Sequence, residues 1–284
     1  LVWLPFSNLL VKLACLTIRD DEENEVSRED QEFMILESRF LEKPAFAVEQ
    51  GRNAAKHMEQ DSRKILDIAL GLIYSYSDEQ AERVQKLESK IDRYEDELGT
   101  YLVKLNNKDL SERDSHSVSI MLHCIGDFER ISDHAVNIME SAQELHEKNI
   151  SFSSQARNEL QVLIAVVSRI VDTAYQVFDK QDLNLTRDVE PLEEIVDELS
   201  KELKRRHVNR LRLGECTIEM GFILTDLITS LERIADHCSN ISVCVTQVRE
   251  NLYDTHSHLE NLKNEPDDSY YNRLGELHKE YVLP

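Results

Sequence analysis

Two segments of this 284-residue sequence carry the same polar residues in the same order, 103 positions apart. One begins at Glu129 and the other at Glu232, and Glu, Arg, Asp, His and Asn recur at equal offsets in both. Acids four positions apart lie on one face of a helix, and they repel each other unless a cation lies between them. The spacing therefore indicates metal binding. The candidate ligands are Glu129, Asp133, Glu232 and Asp236, followed by Asn137 and Asn240.

An acid pair with the same spacing precedes each segment: Glu88 with Asp92, and Glu193 with Asp197. Two facing helices that each carry such a pair would form a pocket of four carboxylates. Carboxylate sites without thiols suit hard cations such as Fe, Mn, Mg or Ca, and Zn is compatible with them. We therefore add these four acids to the candidate metal ligands and leave the metal open.

Ordinary structural roles compete with metal binding. The acids could pair with Arg113, Arg130 or Arg233 in a polar seam between helices, and in so acidic a chain an acid pair is also common on a solvated face. His134 and His237 each follow an aspartate, and either metal ligation or an interhelical hydrogen bond would account for them.

The composition predicts long helices to carry these residues. Gly and Pro number 7 and 5, so the chain has few of the residues on which tight turns depend. Apolar residues recur in steps of three and four from Leu160 to Val177 and from Leu224 to Val248, which gives each helix one stripe that neighbouring helices must cover. The net charge of −22 disfavours a nucleic-acid partner.

Turn signals divide the chain into six helices, and the polar segment occurs once in every three of them. We therefore predict an all-α fold of two tandem three-helix bundles. The first 18 residues are the most apolar stretch. The predicted segments are the end of a membrane or amphipathic segment at 1–18, an acidic linker at 19–43, the helical domain at 44–251 with repeats at about 44–147 and 153–251, and a C-terminal tail at 252–284.

The doubled Glu-Arg-Ile-x-Asp-His-x-x-Asn-Ile pattern, with acid pairs in the preceding helices, resembles the PhoU domain, a family of paired three-helix bundles associated with phosphate uptake. The resemblance covers roughly residues 56–251. It implies metal binding by Glu129, Asp133, Glu232 and Asp236. The apolar start with Leu-Pro-Phe, the acidic linker, the segment at 39–47 and the last seven residues also resemble the cytoplasmic extension of bacterial sodium/phosphate cotransporters.

This resemblance implies a metal-binding regulatory domain on the cytoplasmic face of the plasma membrane, not an enzyme. The implied partners are a membrane transporter half in the same polypeptide, inorganic phosphate and a second copy in a homodimer. One alternative is a free-standing PhoU-type adaptor of phosphate signalling. Another is a ferritin-like di-metal oxidase, which requires Glu-x-x-His ligand steps that do not recur here.

A basic cluster lies near the end of the fifth predicted helix. Cations in the last turns of a helix complement its dipole. They are also suited to contact with anionic lipid headgroups or a partner. The cluster consists of Lys204, Arg205, Arg206, Arg210 and Arg212.

Overall fold

The computed structural model describes residues 32–250 and 268–284, and these residues are almost entirely helical. The helices are α1 (Pro44–Leu72), α2 (Asp78–Asn106), α3 (Glu112–Glu147), α4 (Ser154–Lys180), α5 (Val189–Leu213), α6 (Ile218–Glu250) and α7 (Asp268–Glu280). Two 3-10 turns, Met34–Leu36 and Ser38–Glu42, precede α1, and one helical turn, Leu183–Thr186, separates α4 from α5. No strand occurs within the described ranges, and the predicted all-α class is confirmed.

Local signals in the sequence set most helix boundaries. Ser111 and Ser153 precede α3 and α4, and each side-chain oxygen accepts a hydrogen bond from the amide three residues later. Gly214 ends α5 with φ of +71°, a conformation that glycine adopts without strain. α1 ends four residues before the predicted boundary at Tyr76, where the Tyr74 amide donates to the Gly71 carbonyl three residues back, as in a 3-10 turn.

The helices pack as two three-helix bundles, as predicted. Helices α1 to α3 contact one another, and so do α4 to α6. The most extensive contact in the described structure joins α3 to α6 and thereby unites the two bundles, whereas α1 and α4 touch only lightly. At the centre, Phe128 of α3 packs edge-on against Tyr175 and Phe178 of α4, with ring centroids 5.3 and 5.0 Å away.

The segments outside the bundles differ in how far the structure describes them. The predicted apolar segment at 1–18 and most of the acidic linker lie outside the described residues. The end of that linker is not solvated, because Phe33, Leu36 and Leu41 are buried in the core. In the predicted tail, α7 packs on α5.

Within the described residues, α4 is the one helix long and apolar enough to cross a membrane by length and composition. Half of its apolar window is buried inside the protein. Leu160, Leu163, Val167 and Ile170 have no exposed surface. Core packing against α5 and α6 therefore accounts for the hydropathy of α4.

A close contact between α5 and α6 yields a stability prediction. A Cβ added at Gly221 would lie 2.6 Å from Nε2 of His207, which is itself buried. We expect Gly221→Ala to lower the free energy of unfolding by about 1–3 kcal/mol, because the imidazole must move within a packed core. Urea unfolding measures the change. Gly126→Ala is the control: nothing lies within 4 Å of its added Cβ, so this helical substitution should be neutral or stabilising.

Candidate metal-binding site

In the first repeat, the structure brings predicted ligands from two helices together. Glu88 and Asp92 of α2 and Asp133 of α3 each offer a carboxylate oxygen, and these oxygens lie within 4.8 Å of one another. Glu129 lies one turn before Asp133 on α3. This arrangement could surround one cation with oxygen ligands. We call these four residues the α2–α3 acidic group.

The α2–α3 acidic group has too little positive charge around it. Burial, and after it the Asp133 carboxylate, raises the pKa of Glu129 to about 7, with Arg130 opposing the shift. Burial also raises the pKa values of Glu88 and Asp92, and Asp133 contributes to both shifts. Arg130 lies 3.3 Å from an oxygen of Glu129 and 3.3 Å from one of Asp133, but its side chain is 60% exposed. A bound cation would relieve this repulsion.

The second repeat differs because lysines already neutralise its acids. Lys204 Nζ lies 2.6 Å from Glu232 Oε2, and Lys201 Nζ lies 2.9 Å from Asp197 Oδ2. Both lysines are on α5. Sequence reasoning missed this role for Lys201, although its position four residues after Asp197 signals an ion pair.

The other two acids of the second repeat, Glu193 and Asp236, do not join a group of metal ligands among the described residues. Arg233 Nη1 lies 3.3 Å from Asp236 Oδ2, and burial raises the pKa of Asp236, with Asp197 adding to the shift. Burial raises the pKa of Tyr270 in α7, and the Glu193 carboxylate adds to the shift. Among the described residues, the acids of this repeat do not form a group at ligand distances, so the two repeats are chemically unequal.

The asparagines and histidines of the repeated segment lie at the contact between α3 and α6. His237 Nδ1 lies 2.9 Å from Asp127 Oδ1, which also accepts a 3.4 Å hydrogen bond from Asn240 Nδ2. The His134 and His237 ring centroids are 5.8 Å apart, and Asn137 Nδ2 is 3.5 Å from His134 Nδ1. The contacts of His237 and Asn240 with Asp127 match the interhelical alternative, the Asn137–His134 contact lies within α3, and ligation by Asn137 and Asn240 stays a prediction. Asp127 was not identified from the sequence.

Four residues of the basic cluster pair with carboxylates of the same chain. Arg206 Nη1 lies 3.0 Å and Arg210 Nη1 2.7 Å from opposite oxygens of Glu159, which has no exposed surface. Arg205 pairs with Glu202 and Lys204 with Glu232. Arg210 is buried, so the predicted lipid contact is wrong for this residue. For Arg205 and Arg212, which are exposed, it stays a prediction.

The fold and the acidic group together define a class: a duplicated three-helix bundle with an acid-rich face between two helices. The family can also be stated. The PhoU domain model matches residues 55–142 and 160–245, which together exceed half of the chain, and the protein belongs to the PhoU domain family. The family resemblance seen in the doubled polar segment is thereby confirmed.

Curated relatives carry the same family name. The chain is 30% identical over 115 residues to phosphate-specific transport system accessory protein PhoU homolog 1 of Thermotoga maritima, a match that spans 40% of this chain and about half, 49%, of that relative. It is 22% identical over 194 residues to the phosphate-specific transport system accessory protein PhoU homolog of Deinococcus radiodurans, covering 67% of this chain and 88% of the relative. Neither relative is named as a sodium/phosphate cotransporter.

Solved structures show the same fold. PhoU from Pseudomonas aeruginosa superimposes with a TM-score of 0.67 at 22% identity, covering 72% of this chain and 98% of that one. The phosphate transport system regulatory protein PhoU from Streptococcus pneumoniae gives 0.66 at 17% identity, covering 75% and 100%. At these identities the likeness establishes the architecture of two three-helix bundles.

Proposed function

We propose that this protein is an accessory or regulatory component of phosphate transport that holds a hard cation in the α2–α3 acidic group. Family membership and the names of its relatives support the accessory role. We propose the cation because carboxylate oxygens of Glu88, Asp92 and Asp133 lie within 4.8 Å of one another. The relatives are named as accessory proteins, which supports a role that is not enzymatic.

The comparisons favour the free-standing PhoU-type protein, which is an alternative from the sequence, over an accessory domain of a sodium/phosphate cotransporter. Two features behind the cotransporter interpretation, the apolar start and most of the acidic linker, lie outside the described residues. We propose a phosphate transport system as the partner, since the relatives are named for one. A transporter half in the same polypeptide, a homodimer and a location on the cytoplasmic face of the plasma membrane stay predictions.

The ligand types suggest which ions fit. Glu88, Asp92 and Asp133 offer oxygen only, a donor set that favours Mg, Mn or Fe, while Zn more often takes nitrogen or sulfur ligands. Inorganic phosphate is a hard oxyanion. A cation bound here would balance the carboxylates and offer open coordination positions to phosphate, which links the proposed site to the proposed role.

The proposal predicts unequal effects of equivalent substitutions in the two repeats. We expect Asp133→Asn to weaken Mn²⁺ binding at least about tenfold, because it removes a charged ligand from the α2–α3 acidic group. Asp236→Asn, at the equivalent position of the second repeat, should change the affinity less than about twofold. Titration of free Mn²⁺ by electron paramagnetic resonance measures both. Equal losses in the two variants, or a parent protein that binds no Mn²⁺, would contradict the proposal.

A further inference from the structure

A groove of about 380 Å³ lies between α1 and α4 and shares no residue with the α2–α3 acidic group. Glu59 and Gln60 of α1 line one wall, and Asp172, Gln176 and Asp179 of α4 line the other. Because α1 belongs to the first bundle and α4 to the second, a ligand in this groove would bridge the two halves of the protein.

Glu59 is the unusual residue of the groove. It is only 7% exposed, and its Oε2 is buried without a hydrogen-bond partner. Burial, reinforced by the Asp179 carboxylate and opposed by Lys56, raises the pKa of Glu59 to about 8. A buried carboxylate is strongly disfavoured unless it is paired, so the ionised form of Glu59 needs a cation.

The available cations leave a deficit of positive charge. Lys56 Nζ lies 2.8 Å from Asp179 Oδ2, so this ammonium already balances one carboxylate. Ionised Glu59 then adds a negative charge that Lys56, itself 46% exposed, does not balance.

A second pair of carboxylates on α1 and α4, Asp67 and Asp172, also shares a single cation. Arg63 Nη1 lies 2.6 Å from Asp67 Oδ1, and Arg63 Nε lies 2.8 Å from Asp172 Oδ1. One guanidinium therefore serves two carboxylates. Burial raises the pKa of Asp67, with Asp172 adding to the shift. When Glu59 is ionised, Glu59, Asp67, Asp172 and Asp179 share Lys56 and Arg63, an imbalance that matches the charge of one divalent ion.

We propose that Glu59 and Asp179 bind a divalent hard cation in the α1–α4 groove. Asp179 offers Oδ1, since Oδ2 is the atom paired with Lys56. The amide of Gln60 lines the same space and supplies a neutral oxygen donor, whereas Gln176 Oε1 already accepts a 3.0 Å hydrogen bond from Lys180 Nζ. All of these ligands are oxygen, which is the donor set of Mg²⁺, Mn²⁺ and Ca²⁺. The ion would fasten α1 to α4, where the two bundles otherwise touch only lightly.

Mn²⁺ titrations of the full chain, followed by electron paramagnetic resonance, test this site. In an Asp133→Asn background, which weakens the α2–α3 acidic group, one Mn²⁺ should still bind. Adding Glu59→Gln should then weaken that remaining binding at least about tenfold. The matched control is Glu49→Gln, an exposed acid ten residues earlier on α1, which should change the affinity less than about twofold.

The outcomes separate this inference from the proposed function. If Glu59→Gln alone leaves Mn²⁺ stoichiometry and affinity unchanged, the groove holds no ion and the inference fails, whatever the α2–α3 acidic group does. If Asp133→Asn alone has no effect while Glu59→Gln removes a site, the inference stands and the metal part of the proposed function fails. Should Glu59→Gln fail to fold by circular dichroism, Asp179→Asn must show the same loss of binding in its place.

Discussion

Replacing Arg210 with methionine should lower the free energy of unfolding by about 3 kcal/mol, because it leaves the buried Glu159 carboxylate with one of its two arginines. Glu159 has no exposed surface, and the Arg210 side chain is 9% exposed. Arg206 still reaches the other oxygen of Glu159 at 3.0 Å, which limits the loss. Urea unfolding followed by circular dichroism measures the difference.

Two further variants separate burial of charge from the mere loss of an arginine. In Glu159→Leu/Arg210→Met both buried charges are gone, so most of the stability should return. Arg205→Met breaks an ion pair with Glu202 in which the arginine is 71% exposed, and it should cost less than about 0.5 kcal/mol. A loss for Arg210→Met no larger than that for Arg205→Met would show that the pair with Glu159 contributes little.

The sequence predicted the helices because periodicity and capping are local properties. The same is true of the acidic pairs, since a spacing of four places Glu129 and Asp133 on one face of α3 wherever the helix packs. Ser111 and Gly214 mark boundaries that the structure retains. The doubled register also predicted that the fold is built of two similar halves.

What the sequence could not predict is set by contacts between distant segments. The surroundings of Glu59 are formed partly by α4, whose Asp179 lies 120 positions away in the sequence. Lys204 of α5 pairs with Glu232 of α6, so the chemical difference between the two repeats depends on how these helices pack. Arg210 belongs to a basic cluster in the sequence, but in the structure it is buried in an ion pair with Glu159. Residue type gave the charge of each group, and tertiary packing decided its partner.

The second large effect concerns pH. We expect Glu59→Gln to stabilise the chelator-treated protein at pH 8.5 by roughly 4 kcal/mol and to have little effect near pH 4.5. In the folded protein burial raises the pKa of Glu59 to about 8, against an ordinary value of 4.5. Between these values the folded state keeps a proton that the unfolded state has released. Stability therefore falls as pH rises through this window, and glutamine, which does not titrate, removes that part of the fall.

Comparing variant with parent at each pH isolates Glu59 from the rest of an acidic protein, because the repulsion among the other carboxylates affects both proteins alike. Urea unfolding in EDTA at the two pH values gives the difference directly. Glu49→Gln, at an exposed position on the same helix, should stay within about 0.5 kcal/mol of the parent at both pH values. An equal gain from Glu59→Gln at both pH values would mean that the substitution acts through packing and not through the buried charge. If Mn²⁺ occupies the α1–α4 groove, adding it at pH 8.5 should stabilise the parent more than the variant, because the ion and the substitution relieve the same unpaired carboxylate.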